Sequence, residues 1–189
     1  RSCGCATQQL MNLGMQPLAN ALLNSPHDLL RRYPLTIDLC TVCQLGQLRN
    51  VVSPELMFRE YLYYSSVSSP VVDNARILTS RIMDESIIDD NLQVVEIASN
   101  DGYLLQFYKQ RGIKVLGIDP AHGPADQAIA KDIPTRKEFF TLNLAHQLPK
   151  ADIIHANNVL AHVPDLNDFV SGLAILLKPD GICFVEVPY

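Results

Sequence analysis

From residue 92 onward, short apolar runs alternate with segments whose apolar positions recur every three or four residues. "LQVVEIA", "IKVLGID", "IPTR", "ADIIHAN" and "ICFVEV" are the runs, and "GYLLQFYKQRG", "GPADQAIAKD" and "DLNDFVSGLAILLKPDG" are the amphipathic segments. A run that is apolar on both alternating faces predicts a strand covered on both sides, so the order predicts a parallel sheet with helices on both faces. Upstream, Ser53 followed by Pro54 predicts a capped helix start over "PELMFREY". From Pro70 to about Asp89 the positions Val71, Ala75, Leu78 and Ile82 fall on one helical face. Between these two lies "YLYYSSVSSP", which has many hydroxyls and poor periodicity; it reads as a loop lining a polar cleft, or as an ordinary linker. "LGMQPLAN", punctuated by Gly14 and Pro17, reads as a loop near the start.

These elements divide the chain into a small lobe over 1–52, a helical linker with the tyrosine and serine loop over 53–91, and an α/β domain over 92–189. With 189 residues the chain can bury a real core. A net charge of −5 without a long Lys/Arg run argues against nucleic acid or an anionic membrane as partner. No apolar run is long enough to span a membrane and no signal-peptide order opens the chain, so a cytoplasmic protein acting on a small molecule is expected. The chain begins at Arg1 and stops in a strand at "FVEVPY", and both ends look cut.

The cysteines add a metal to this picture. Cys40 and Cys43 form a CxxC, a turn that lets two thiolates grip one tetrahedral ion, and Cys3 and Cys5 precede them as an irregular CxC. The expected ligands of a structural zinc are Cys3, Cys40 and Cys43. The fourth is either Cys5 or a cysteine preceding Arg1, and unligated thiols are the bland alternative. Cys183 lies in an apolar run and reads as core.

The turn "VVEIASNDGYLL" carries the candidate chemistry. A pyrophosphate needs several glycines for close approach of backbone amides, and this turn has only Gly102. It offers instead Glu96, Ala98, Ser99, Asn100 and Asp101, while Asp119 closes the next strand where an acid can take a ribose diol. Polar groups for an ammonium and a ribose point to S-adenosylmethionine, with Glu96, Ala98, Asn100, Asp101, Gly102 and Asp119 as its cradle. The alternative is that Asp101 and Asp119 are turn-forming residues.

Taken together, "LGMQPLAN", "YPLTIDLCTVCQLGQL", "SPELMFREYLYYSS", "VVEIASNDGYLLQFYKQRGIKVLGIDPA", "TRKEFF" and "ANNVLAHVPDLNDFVSGLAILLKPDGICFVEVPY" resemble the nucleotide-sugar C-methyltransferases across nearly the whole chain. The resemblance implies a zinc-binding lobe, a Rossmann-like class I methyltransferase sheet, and a further C-terminal domain beyond Tyr189 with a YHEH-like motif. It puts the second thiol of a CxxC on Cys3, which leaves one expected ligand missing here. It implies methylation of a 4-keto-6-deoxy nucleotide sugar through an enolate, with zinc outside the chemistry. His162 in "NNVLAHVPD" becomes the leading candidate base, and Tyr63 with Ser65 or Ser66 orients the sugar or its enolate. Tyr61 and Tyr64 are further substrate candidates, Asn157 and Asn158 approach the cofactor, and Phe139 and Phe140 lie near the adenine or in the core. His155 reads as core. A zinc and nucleoside binding module without catalysis, or a nicotinamide-dependent oxidoreductase, are the competing readings.

Overall fold

The computed structural model describes residues 1–23, 25–85 and 91–188. Strand β1 (Thr7–Pro17) pairs antiparallel with β2 (Arg32–Cys40), which pairs antiparallel with β3 (Gly46–Leu48). The stretch expected as a loop around Gly14 and Pro17 is therefore strand up to Pro17. The turn signals are absorbed by an irregularity between Asn12 and Met15, where Gly14 takes φ +72° and its N–H donates to Asn12 Oδ1 at 2.9 Å. Pro17 closes the ladder opposite Arg32, at the end of an edge strand that tolerates a missing donor. The buried residues of β2 are Thr36, Asp38 and Cys40, so this lobe has a polar interior in place of an apolar core. Arg49 holds Asp38 with both Nε and Nη2, at 3.0 and 2.7 Å.

A short helix α1 (Pro54–Phe58) follows, with Ser53 at its cap position but making no side-chain capping bond. After the tyrosine and serine loop, α2 (Ser69–Glu85) runs as expected from its apolar face, with Ala75 and Ile82 buried. The expected continuation to Asp89 lies outside the described residues.

The main sheet has the order β6-β5-β4-β7-β8 and every pairing in it is parallel. Its strands are β4 (Gln93–Ile97), β5 (Lys114–Ile118), β6 (Thr135–Arg136), β7 (Ala151–Asn157) and β8 (Leu177–Glu186). Helices α3 (Leu105–Gln110), α4 (His122–Ala130), α5 (Leu142–Ala145) and α6 (Leu166–Leu176) connect them. In β4, Val94 packs with Leu105, Tyr108 and Ala75 on one face, while Val95 and Ile97 pack with Phe169, Leu173 and Leu176 on the other. Both faces are thus covered, which is why the strands read as continuous apolar runs. Helix α6 stops earlier than its apolar pattern suggests and β8 begins at once, because Pro179 disfavours a helical Lys178.

The chain runs outward from β4 through β5 to β6, then returns to β7 on the other side of β4. The strand order reverses between β4 and β7, and a ligand crevice is expected outside the carboxyl ends of those strands.

Candidate active site and metal centre

At that crevice the turn after β4 is wound unusually tightly: Ala98, Asn100 and Gly102 all take left-handed φ, +57°, +50° and +76°. Two of the three are not glycine and pay for that geometry, which is the kind of strain found at functional sites. Ser99 N–H and Ala98 N–H both reach the Ile118 carbonyl, pinning the turn to the end of β5. A side chain at Gly102 would run into Ile133, so this glycine is required by packing against the segment that leads from α4 into β6.

Asp119 sits at the end of β5, 5% exposed. Its Oδ2 accepts the Asn100 N–H and its Oδ1 the Ala121 N–H, each at 2.8 Å. Burial raises its pKa, with the two N–H groups and Asp101 as smaller opposing and reinforcing influences. Each oxygen keeps a lone pair, which suits a diol donating two hydroxyls. Glu96 is wholly buried and neither carboxylate oxygen has a partner among the described residues. Burial, then Asp119 and Asp101, push its pKa well above the usual carboxylate range, favouring the neutral acid.

A cavity of about 770 Å³ opens above these residues, within the size range of small-molecule sites. Ala98, Asn100, Asp119, Asn157 and Asn158 line it, and so do Tyr61, Tyr63, Ser65 and His162. Glu96, Asp101, Gly102, Tyr64 and Ser66 do not line it. Asp101 instead accepts hydrogen bonds from the Ser66 N–H and hydroxyl, and the Tyr64 hydroxyl fills the space beside Gly123 at the start of α4. Asn158 donates its amide to Glu186 Oε1 at 2.6 Å.

Aromatic rings form one wall: Phe58 lies 5.9 Å from Tyr61 and 6.1 Å from His162, and Tyr61 lies 6.4 Å from Tyr63 between ring centroids. Phe139 and Phe140 line the cavity. Phe139 lies beneath the Arg59 guanidinium at 4.8 Å, and Phe140 meets Phe169 edge-on at 5.4 Å. His155 is buried within β7, as its apolar surroundings predict.

Sequence reasoning passed over several lining residues. Tyr103 follows the glycine turn and lines the cavity with Asn157; burial and the nearby Glu96 raise its pKa, and the Asn157 side chain opposes that rise. Asn74 also lines the cavity. Its signal was legible: it is a polar residue within the otherwise apolar face of Val71, Ala75 and Leu78.

In the small lobe the Sγ atoms of Cys3, Cys40 and Cys43 all lie within 4.8 Å of one another, with Cys3 and Cys40 3.4 Å apart. Thiolates on one tetrahedral zinc stand about 3.8 Å apart, given a Zn–S bond of roughly 2.3 Å, so the three fit such an ion. Cys5 is outside this cluster and points its thiol at the Cys3 carbonyl, 3.8 Å away. The Cys3 thiol is pulled down to about 6, first by the backbone of Cys5 and then by the neighbouring thiols of Cys40 and Cys43. The cysteine-bearing segment is tied to the main domain where Asn167 on α6 donates to the Ser2 carbonyl at 2.9 Å.

Comparison with known proteins agrees with both halves. Residues 1–58 match the family model described as "Putative zinc binding domain", and residues 73–189 match the model described as "Methyltransferase domain". The C-methyltransferase NovU of Streptomyces niveus is 32% identical over 186 residues, which is 95% of this chain and 44% of the relative. A ubiquinone biosynthesis O-methyltransferase of Bartonella tribocorum is 33% identical over 101 residues, 51% of this chain and 41% of the relative. The chain thus spans less than half the length of these relatives. Among solved structures, a SAM dependent methyltransferase from Archaeoglobus fulgidus superposes with a TM-score of 0.53 at 17% identity, over 62% of this chain and 53% of that one. The CcbJ methyltransferase from Streptomyces caelestis gives 0.51 at 15% identity, over 59% and 48%. These likenesses establish the fold, the Rossmann-like sheet of class I methyltransferases.

Proposed function

Because the chain belongs to the methyltransferase-domain family, we propose that it methylates a carbon of a 4-keto-6-deoxy nucleotide sugar, using S-adenosylmethionine and an enolate of the sugar. The observation that carries this reading is the similarity to a C-methyltransferase along 95% of the chain, zinc lobe and tyrosine loop included. The O-methyltransferase relative matches over only 51% of the chain.

The residues divide the work along the cavity. At the carboxyl ends of β4 and β5, Asp119 accepts the ribose hydroxyls of the donor. Ala98 and Asn100 supply the turn beside it, and Tyr103 with Asn157 borders the amino-acid side. Phe139 and Phe140 form an apolar wall for the adenine. S-adenosylmethionine supplies an electrophilic methyl group on a sulfonium, which needs no metal to activate it.

On the acceptor side, the carbon beside a ketone loses a proton to give an enolate, and that carbon then takes the methyl. His162 faces the cavity and is the base; it must come within hydrogen-bond reach of the proton. Tyr63, with Tyr61 beside it, presents a hydroxyl that can donate to the enolate oxygen, and Ser65 lines the same side. Zinc, held by Cys3, Cys40 and Cys43 with a fourth donor, organises a lobe whose interior is polar.

The test is incubation with 4-keto-6-deoxy nucleotide sugars in deuterium oxide. Deuterium entering the carbon next to the ketone, and a C-methyl product with S-adenosylmethionine, support the reading. An O-methyl product without that exchange moves the protein to oxygen methylation. Binding of S-adenosylhomocysteine without turnover on any such sugar favours a binding module.

A further inference from the structure

Asn100 makes bonds in two directions from one buried position. Its N–H donates to Asp119 Oδ2 at 2.8 Å. Its side-chain amide accepts the Ser65 N–H at 2.8 Å and donates to the Tyr63 carbonyl at 3.0 Å. A carboxamide is both donor and acceptor, so it pairs with the backbone of Tyr63 and Ser65 as a neighbouring strand would. Asp101 extends the contact by accepting the Ser66 N–H at 3.3 Å.

The loop that receives these bonds has few others. Leu62 is 64% exposed and Val67 84%. Within the loop, the backbone bonds are those of a single tight turn, Val67 N–H to Tyr64 and Ser68 N–H to Ser65. A segment with so little buried apolar surface draws its conformation from the polar contacts that anchor it. Those contacts converge on Asn100 and its neighbour.

We propose that Asn100 is a positioning residue that couples the two halves of the site, fixing the Tyr61–Val67 loop to the same turn that orients the Asp119 carboxylate. The coupling rests on the reading of Asp119 as the donor's ribose holder and of Tyr63 as acceptor-facing. Asn100 thus reaches the acceptor side through the backbone of the loop, and its side chain does not need to touch the sugar.

The decisive variant is Asn100→Gly. Glycine accepts φ near +50° without steric cost and keeps the N–H for Asp119, so only the carboxamide is lost. Hydrogen exchange, measured without ligand, is expected to accelerate at Ser65 and Ser66 by roughly tenfold or more, since both carboxamide hydrogen bonds to the loop disappear. Exchange in β4 and β5 should stay near that of the unsubstituted protein. Asn100→Asp keeps the acceptor for Ser65 and loses the donor to Tyr63, so it should release the loop less.

Unchanged exchange at Ser65 and Ser66 in Asn100→Gly would overturn the proposal. So would acceleration spread equally over β4 and β5, which marks a structural residue only. Failure of the unsubstituted protein to bind S-adenosylhomocysteine is a separate outcome: it removes the donor reading and the coupling with it, while the ligand-free exchange still judges the latch itself.

Discussion

The phenol oxygen of Tyr108 on α3 and Nε2 of His155 on β7 lie 2.9 Å apart, in a place where both side chains are wholly buried. Phe184 stacks on the imidazole at 5.3 Å and an interplanar angle of 15°. Burial pulls the His155 pKa from 6.5 down to about 4. The unfolded chain therefore takes up this proton first, and stability falls as pH drops from about 6.5 through about 4. Urea unfolding across that window should lose on the order of 3 kcal/mol more in the natural protein than in His155→Leu, which cannot take up the proton. Tyr108→Phe should cost roughly 1–3 kcal/mol at pH 7 by leaving Nε2 without its partner.

The core of this architecture was legible because apolar runs and helical periodicity survive in strands and helices packed on both faces. The site was legible only as a set of residues. In the turn after β4, three residues of left-handed backbone abolish any simple period, so the directions of its side chains could not be read. Gly102 turns out to face Ile133, and Asp101 faces Ser66; only Ala98 and Asn100 of that turn line the cavity. Tyr64 was similarly indistinguishable from Tyr61 and Tyr63 by composition, and only the path of the loop separates them. In the small lobe, Gly14 and Pro17 carried ordinary turn signals that a strand irregularity and a ladder end accommodate.

Glu96 has the opposite pH signature to His155. Its folded pKa is raised above the ordinary 4.5, so the folded protein keeps a proton that the unfolded chain releases. Its contribution is fully present at low pH and is lost as pH rises beyond 4.5 towards the folded value. Glu96→Gln, which has nearly the same shape and cannot ionise, should melt at a higher temperature than the natural protein at pH 8. The difference should shrink towards pH 4.5, and calorimetry at several pH values measures it.

The thiol cluster makes a residue-specific prediction about metal content. Cys3→Ser, Cys40→Ser and Cys43→Ser should each lower the zinc retained after purification, while Cys5→Ser should retain it, because Cys5 lies outside the cluster. Cys40 is the buried member, 2% exposed. Chelation of the metal should release amide protection in β1 to β3, whose interior is built on Thr36, Asp38 and Cys40, before it affects β4 to β8. Elemental analysis and hydrogen exchange check the two halves of this prediction.

His162 is where a wall residue and a base make different predictions. It ends the short helical turn Leu160–His162, is exposed on the cavity, and has Phe58 6.1 Å away. If it removes the proton, His162→Gln should lower turnover by roughly 10²–10⁴-fold and abolish deuterium entry beside the ketone. Donor affinity should be unaffected within about threefold, because the contacts proposed for the donor, at Asp119, Tyr103 and Asn157, do not pass through the imidazole. On the same proposal, Tyr63→Phe would remove the hydroxyl that donates to the enolate and leave the base in place, so it should slow methyl transfer by roughly 10²-fold while deuterium entry is reduced but not abolished. A wall residue would behave otherwise: His162→Gln would weaken acceptor and donor binding together, and deuterium entry at saturating sugar would remain. Measuring donor affinity, turnover and exchange on the same variant therefore separates proton transfer from packing.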